Sequence, residues 1–120
     1  MSNFKQKEQD TNLTWFATTK NFTNKINDSY SKFSGLDFKI LFYILNKMNY
    51  ANKVTNFINK DLAKKFGKSE QSISTSITKL RKENIIKRTH NSFEIMVNPE
   101  YFYNGGNQLK KFKTNEYQDL

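Results

Sequence analysis

From Leu36 onward the apolar residues recur at spacings of three and four, and after residue 84 the pattern shortens to two brief runs around a polar turn. The first spacing lays one stripe along a helix, while short runs rich in β-branched residues suit strands. Leu36, Ile40, Leu41, Ile44, Leu45 and Met48, with Lys39, Asn46, Lys47 and Asn49 between them, predict an amphipathic helix ending near Tyr50. Residues 54–58 predict a small strand. Asn59 is placed to cap a second helix with Asp61 in its first turn and Leu62, Ala63 and Phe66 on its inner side. Gly67 offers a left-handed stop, and Ser69 caps a third helix whose inner residues are Ile73, Ile77 and Leu80. Residues 85–88 and 93–97 then predict two strands around His90, Asn91 and Ser92, and Pro99 ends the second.

Helix, short strand, helix, tight turn, helix and hairpin follow one another in the order of a winged helix-turn-helix. The expected fold is therefore mainly α with a small β-hairpin wing, over residues 35–103. A chain of 120 residues supports one such core, and its eleven Phe and six Tyr supply large areas to bury. Residues 1–12 are polar and predict a disordered tail. Residues 13–34 predict an arm or short helix, with Trp15, Phe16 and Phe22 serving either a dimer contact or a cover for the core. A helix over 24–33 would carry Ile26, Tyr30 and Phe33. Tyr101, Phe102 and Tyr103 are expected to pack back on the domain, and Gly105-Gly106 to open a flexible tail over 104–120.

Twenty Lys and Arg stand against eleven Asp and Glu, a net charge of +9. Such a balance suits a polyanionic partner, although a bias toward Lys and Asn in composition produces it too. Placement separates the two readings. Residues 53–97 hold eight Lys and two Arg against Asp61, Glu70, Glu83 and Glu94, so the excess concentrates on the second and third helices and the hairpin. The chain has no Cys, and hence no disulfide or thiolate metal site. The apolar run at 40–45 is far shorter than the roughly 20 residues of a membrane span. With no apolar leader behind Met1, the expectation is a soluble cytoplasmic protein without membrane contact.

At 100° per residue, Ile73, Ile77 and Leu80 fall within about 60° of one another and define the inner side of the third helix. Opposite lie Gln71, Thr75, Thr78 and Lys82, flanked by Ser72, Ser74 and Lys79. An idle surface helix would favour Glu, Lys or Ala over this many Ser and Thr. A face of hydrogen-bonding groups without large apolar residues fits the major groove, where Gln pairs with adenine and Thr touches the thymine methyl. Gln71, Ser72, Thr75 and Thr78 are accordingly the candidate base contacts. Ser69, at the helix N-terminus, joins Lys60, Lys64, Lys65, Lys68, Lys79, Arg81 and Lys82 as candidate phosphate contacts. Arg88 at the wing entrance is placed to reach a minor groove, and His90 and Asn91 lie at the wing tip.

Catalysis finds little support. Gly67-Lys68-Ser69 imitates the end of a phosphate loop, but Leu62 stands where the first glycine belongs. His90 is the single histidine, so no His pair can hold a metal beside a tyrosine nucleophile. Tyr101 and Tyr103 read as packing residues. The expectation is a protein that is no enzyme and binds no cofactor or metal.

The stretch Leu80-Arg81-Lys82-Glu83-Asn84-Ile85-Ile86-Lys87-Arg88, followed by Ile95-Met96-Val97-Asn98-Pro99-Glu100-Tyr101-Phe102 and Gly105, resembles the RepL-type replication-initiation proteins of small Gram-positive plasmids. The resemblance covers residues 36–106, with Asn98-Pro99 its distinguishing part. It implies recognition of a plasmid origin in double-stranded DNA and recruitment of host replication proteins. A transcriptional regulator of a mobile element would use the same helix. A winged helix serving as a protein-interaction module is the third reading, which the cationic, non-apolar face disfavours. One recognition helix reads few base pairs, so a homodimer on paired half-sites is expected.

Overall fold

In the computed structural model, residues 15–29 and 32–120 are described. The elements are β1 (Ala17–Thr18), α1 (Lys20–Ser29), α2 (Gly35–Lys47), β2 (Lys53–Val54), α3 (Asn59–Phe66), α4 (Glu70–Lys82), β3 (Ile86–Arg88), β4 (Ile95–Val97), β5 (Phe102–Tyr103) and α5 (Asn107–Gln118). Three antiparallel strands run in the order β2-β4-β3, and β1 pairs separately with β5. The chain is thus helix-rich with small antiparallel sheets.

The helix α2 begins with a reciprocal cap. The Asp37 amide donates to Ser34 Oγ at 3.2 Å, and the Ser34 amide donates to Asp37 Oδ2 at 2.8 Å. The helix stops at Lys47 rather than near Tyr50. Asn49 Oδ1 accepts from the Ala51 and Lys53 amides, each at 2.9 Å, and so offers the backbone a turn instead of another helical step. Asn52 completes the reversal at φ 64°. The strand β2 is likewise shorter than the 54–58 expected, because Asn56 is left-handed at φ 54°. Asn59 proves to be the first residue of α3 rather than its cap; Ile58 holds that place and supplies no side-chain bond. Gly67 at φ 64° and the Ser69 cap of α4 stand as expected.

Ile40, Leu41, Ile44 and Leu45 of α2 pack with Leu62 and Ala63, with Ile73, Ile77 and Leu80, and with Ile86, Ile95 and Val97 of the sheet. Asn98 and Pro99 then turn the chain, the Asn98 carbonyl accepting from the Tyr101 and Phe102 amides. Phe102 enters the core, where the Phe22 ring lies 4.5 Å from it and the Phe16 ring 5.9 Å. The segment preceding α2 therefore covers the core through Phe16 and Phe22. The helix there runs over Lys20–Ser29 and not 24–33, and Tyr30 falls outside the described residues.

The C-terminal segment departs most from expectation. A flexible tail was expected over 104–120; residues 107–118 form α5, docked on the sheet through buried Lys113 and Tyr117. Lys113 Nζ donates to Asn52 Oδ1 at 3.1 Å and to the Asn104 carbonyl at 3.2 Å, and it lies 5.0 Å from the Tyr50 ring centre. Asn52 in turn donates to the Val97 and Phe102 carbonyls, at 3.2 and 2.7 Å. Tyr117 Oη donates toward Asn84 at its carbonyl and Oδ1, and Lys53 pairs with Glu116 at 2.6 Å. Gly105, at φ 87°, lets the chain enter α5. A Cβ there would lie 2.6 Å from Leu109 Cδ2 and 3.2 Å from Tyr50 Oη.

Burial of Tyr117, with Tyr101 and Glu100 nearby, raises its phenol above the ordinary value of 10.0. A raised folded value means that this stability is complete below about pH 10 and is lost as pH rises further. Tyr117→Phe should lower stability by about 1 kcal/mol at neutral pH and flatten the alkaline decline, as read by denaturant unfolding across pH.

The inner end of α2 is tied to α4. Lys79 Nζ lies 2.9 Å from Asp37 Oδ2, and the carboxylate is 1% exposed against 35% for the lysine side chain. Burial alone would raise the Asp37 carboxyl. Hydrogen bonds from Ser76, the Ser34 amide and Lys79, with the Lys79 charge, outweigh it and hold the group below its ordinary value of 3.8. A lowered folded value contributes stability above the unfolded value and loses it as pH falls through the folded one. Melting temperatures should therefore drop steeply below about pH 4, and Asp37→Asn should remove part of that slope. Lys79→Ala should cost about 1–2 kcal/mol, less than breaking a fully buried pair because water reaches the ammonium.

Candidate nucleic-acid interface

The turn from α3 to α4 is three residues, 67–69, and it fixes α4 across α3 with one side free. Ile73, Ser76, Ile77 and Leu80 are buried on the inner side of α4. Gln71, Ser72, Thr75, Thr78, Arg81 and Lys82 are exposed, so all four candidate base contacts share one outward face. The Thr75 hydroxyl donates to the Gln71 carbonyl at 2.9 Å, and Gln71 Nε2 lies 3.4 Å from Thr75 Oγ1. These contacts orient two short polar groups without committing the Gln71 carbonyl oxygen of the side chain. At the helix start, Ser69 Oγ accepts from the Ser72 amide at 3.1 Å and reaches Ser72 Oγ at 3.0 Å. The remaining free amides there, with the helix dipole, favour an anion.

Lys60, Lys64, Lys65 and Lys68 are exposed on α3 and the turn. Lys65 Nζ stands 5.6 Å from the Tyr43 ring centre, which steadies its stem. Arg81 and Lys82 join Thr78, Ile86, Lys87 and Arg88 around a groove of about 460 Å³ between α4 and β3. Lys79 differs from the rest. Its ammonium is held by Asp37, so it joins helices rather than standing ready for a phosphate. Lys87 lines the groove, but its Nζ donates to the Tyr117 carbonyl at 3.1 Å.

On the hairpin, Arg88 and His90 are exposed. Asn91 is exposed too, yet its side-chain amide donates to Glu94 Oε1 at 3.0 Å, and Thr89 Oγ1 donates to the same oxygen at 2.6 Å. Asn91 thus shapes the turn. By residue type and spacing Phe93 belongs to the strand expected over 93–97. The structure places it in the turn at φ 55° with its side chain 59% exposed. Nothing in residue type or spacing signals that conformation. Among the described residues there is no group of three or more His, Asp and Glu able to hold a metal, and no helix is long and apolar enough to cross a membrane.

No solved structure matches the chain. Curated relatives do. A Bacillus subtilis "Replication and maintenance protein" is 32% identical over 83 residues, covering 69% of this chain and 56% of the relative. Proteins of the same description from Staphylococcus aureus and Staphylococcus epidermidis match at 32% over 83 residues, covering 51% and 50% of their lengths. The chain spans about half the length of the curated relatives it matches. The model of one family, described as Firmicute plasmid replication protein (RepL), matches residues 1–120. On that match and those relatives, the chain belongs to the Firmicute plasmid replication protein (RepL) family.

Proposed function

We propose that the chain is a winged helix-turn-helix that reads a double-stranded sequence at a plasmid origin and brings host replication proteins to it, without catalysis of its own. The observation that carries this reading is the outward face of α4: Gln71, Ser72, Thr75 and Thr78 exposed together, with Arg81 and Lys82 beyond them. Short hydroxyl side chains let the helix axis approach base edges, and Gln71 reaches farther for a bidentate bond to adenine. Lys60, Lys64, Lys65 and Lys68 on one side and Arg88 on the other are spaced to meet the flanking phosphates. The relatives' description as replication and maintenance proteins favours the origin over a promoter as the target. Two copies on paired half-sites would extend the short sequence that one helix reads. Trp15, which the core leaves exposed, is the candidate contact between them.

Selection of bound sequences from a random duplex pool, at near-physiological salt, tests the reading directly. An enriched motif, repeated or palindromic, is the expected result; absence of any duplex binding sinks it. Maintenance of an origin plasmid dependent on this chain separates an initiator from a transcriptional regulator. On the enriched duplex, Gln71→Ala and Thr75→Ala should each cost about 1–3 kcal/mol and leave binding to random duplex nearly unchanged. Lys68→Ala and Lys82→Ala should weaken every duplex alike and lower the salt slope by about one each. Identical behaviour of Gln71→Ala and Lys82→Ala on both duplexes would remove the base-reading role.

A further inference from the structure

The turn of the β3–β4 hairpin holds its aromatic side chain outward by construction. Phe93 sits at φ 55°, a conformation that bulky residues rarely adopt, and its side chain is 59% exposed. Its backbone is fastened on both sides. The Phe93 carbonyl accepts from the Phe57 amide at 2.8 Å, and the Glu94 carbonyl accepts from the Thr89 amide at 3.1 Å. The buried Glu94 carboxylate gathers Thr89 and Asn91 beneath the turn. Glycine or asparagine would suit this backbone without strain, so the ring itself needs a reason. Its neighbours supply one. Arg88 and His90 are exposed on the same hairpin, and Arg88 also lines, with Thr78, Arg81, Lys82, Lys87 and Leu120, the groove between α4 and β3. A protein partner's surface would rarely centre on such a cluster of cations, whereas a nucleic acid presents phosphates around a stack of apolar base faces.

We propose that Phe93 is a wedge that enters the minor groove of bound duplex DNA and slips its ring between two base pairs, unstacking that step. The inference rests on the DNA-binding reading and deepens it. Arg88 meets the phosphate beside the opened step, and the fastened turn keeps the ring from folding back on the protein. An inserted Phe bends the duplex and loosens local pairing, which is the physical start of strand opening. The unstacked step belongs to the site outside the base pairs that α4 reads. Pyrimidine–purine steps, which unstack most easily, are favoured there.

The test uses the full chain and the duplex enriched from the random pool, with 2-aminopurine substituted at each position in turn. Wild type should brighten one step outside the α4 site. Phe93→Asn should lose that signal, weaken binding about 10-fold, and melt at the same temperature as wild type or higher. Phe93→Gly serves the same purpose should the Asn variant fold poorly, and Phe93→Tyr should retain the signal. An unchanged 2-aminopurine profile and affinity in the folded Asn or Gly variant overturns the wedge while leaving DNA binding intact. Failure of wild type to bind any duplex overturns both together.

Discussion

Asp37 is a buried carboxylate whose Oδ2 does two jobs at once. It closes the reciprocal cap with Ser34 that starts α2, and it receives Lys79 and Ser76 from α4. A lone carboxylate at 1% exposure is costly unless every lone pair is satisfied, and here amide, hydroxyl and ammonium share the task. The angle at which α4 crosses α2 therefore follows from an electrostatic joint as well as from Ile40, Ile44, Ile73 and Ile77 packing. Everything outward on α4 inherits its direction from that joint. Rotating the helix to free Lys79 would pull Ser76 out and swing the face shared by Gln71 and Thr75 to a new direction.

A second polar centre plays the matching part behind the sheet. Asn52 gathers β4, β5 and α5 by accepting from Lys113 and donating to the Val97 and Phe102 carbonyls. Asn52 does this, and Asn84 receives Asn98 and Tyr117, from left-handed backbone, a conformation that asparagine tolerates better than most side chains. Residues that end elements here are thus the same residues that tie distant elements together. The hairpin is braced as a result, with Lys87 held by the Tyr117 carbonyl and Asn84 by the Tyr117 hydroxyl.

The three central helices and the hairpin were legible because their apolar spacing is regular and their caps are local. Gly67 and Ser69 announce themselves through short-range chemistry, and both behave as read. What escaped depends on partners distant in sequence or on geometry that residue type does not encode. Leu109, Lys113 and Tyr117 recur every four residues, but a lysine in the middle of the stripe disguises a buried face as a solvated one. Lys79 lies on the flank of α4 by spacing alone, and no pattern reveals the carboxylate that claims it. Phe93 looks like a strand residue until its φ is known. The exposure of Gln71, Ser72, Thr75 and Thr78 was readable because exposure on a helix follows directly from the position of its buried stripe.

The division of labour along α4 has an evolutionary consequence. Ile73, Ser76, Ile77, Lys79 and Leu80 are bound into the fold, whereas Gln71, Ser72, Thr75 and Thr78 touch little beyond their own helix. Substitutions at such exposed sites change stability by about 0.5 kcal/mol or less. The fold thus carries an exchangeable set of letters on an inherited frame. On the proposed DNA-reading role, lineages would diverge in what those positions recognise without first acquiring compensating changes in the core, and a descendant would part from its ancestor's target in one or two steps.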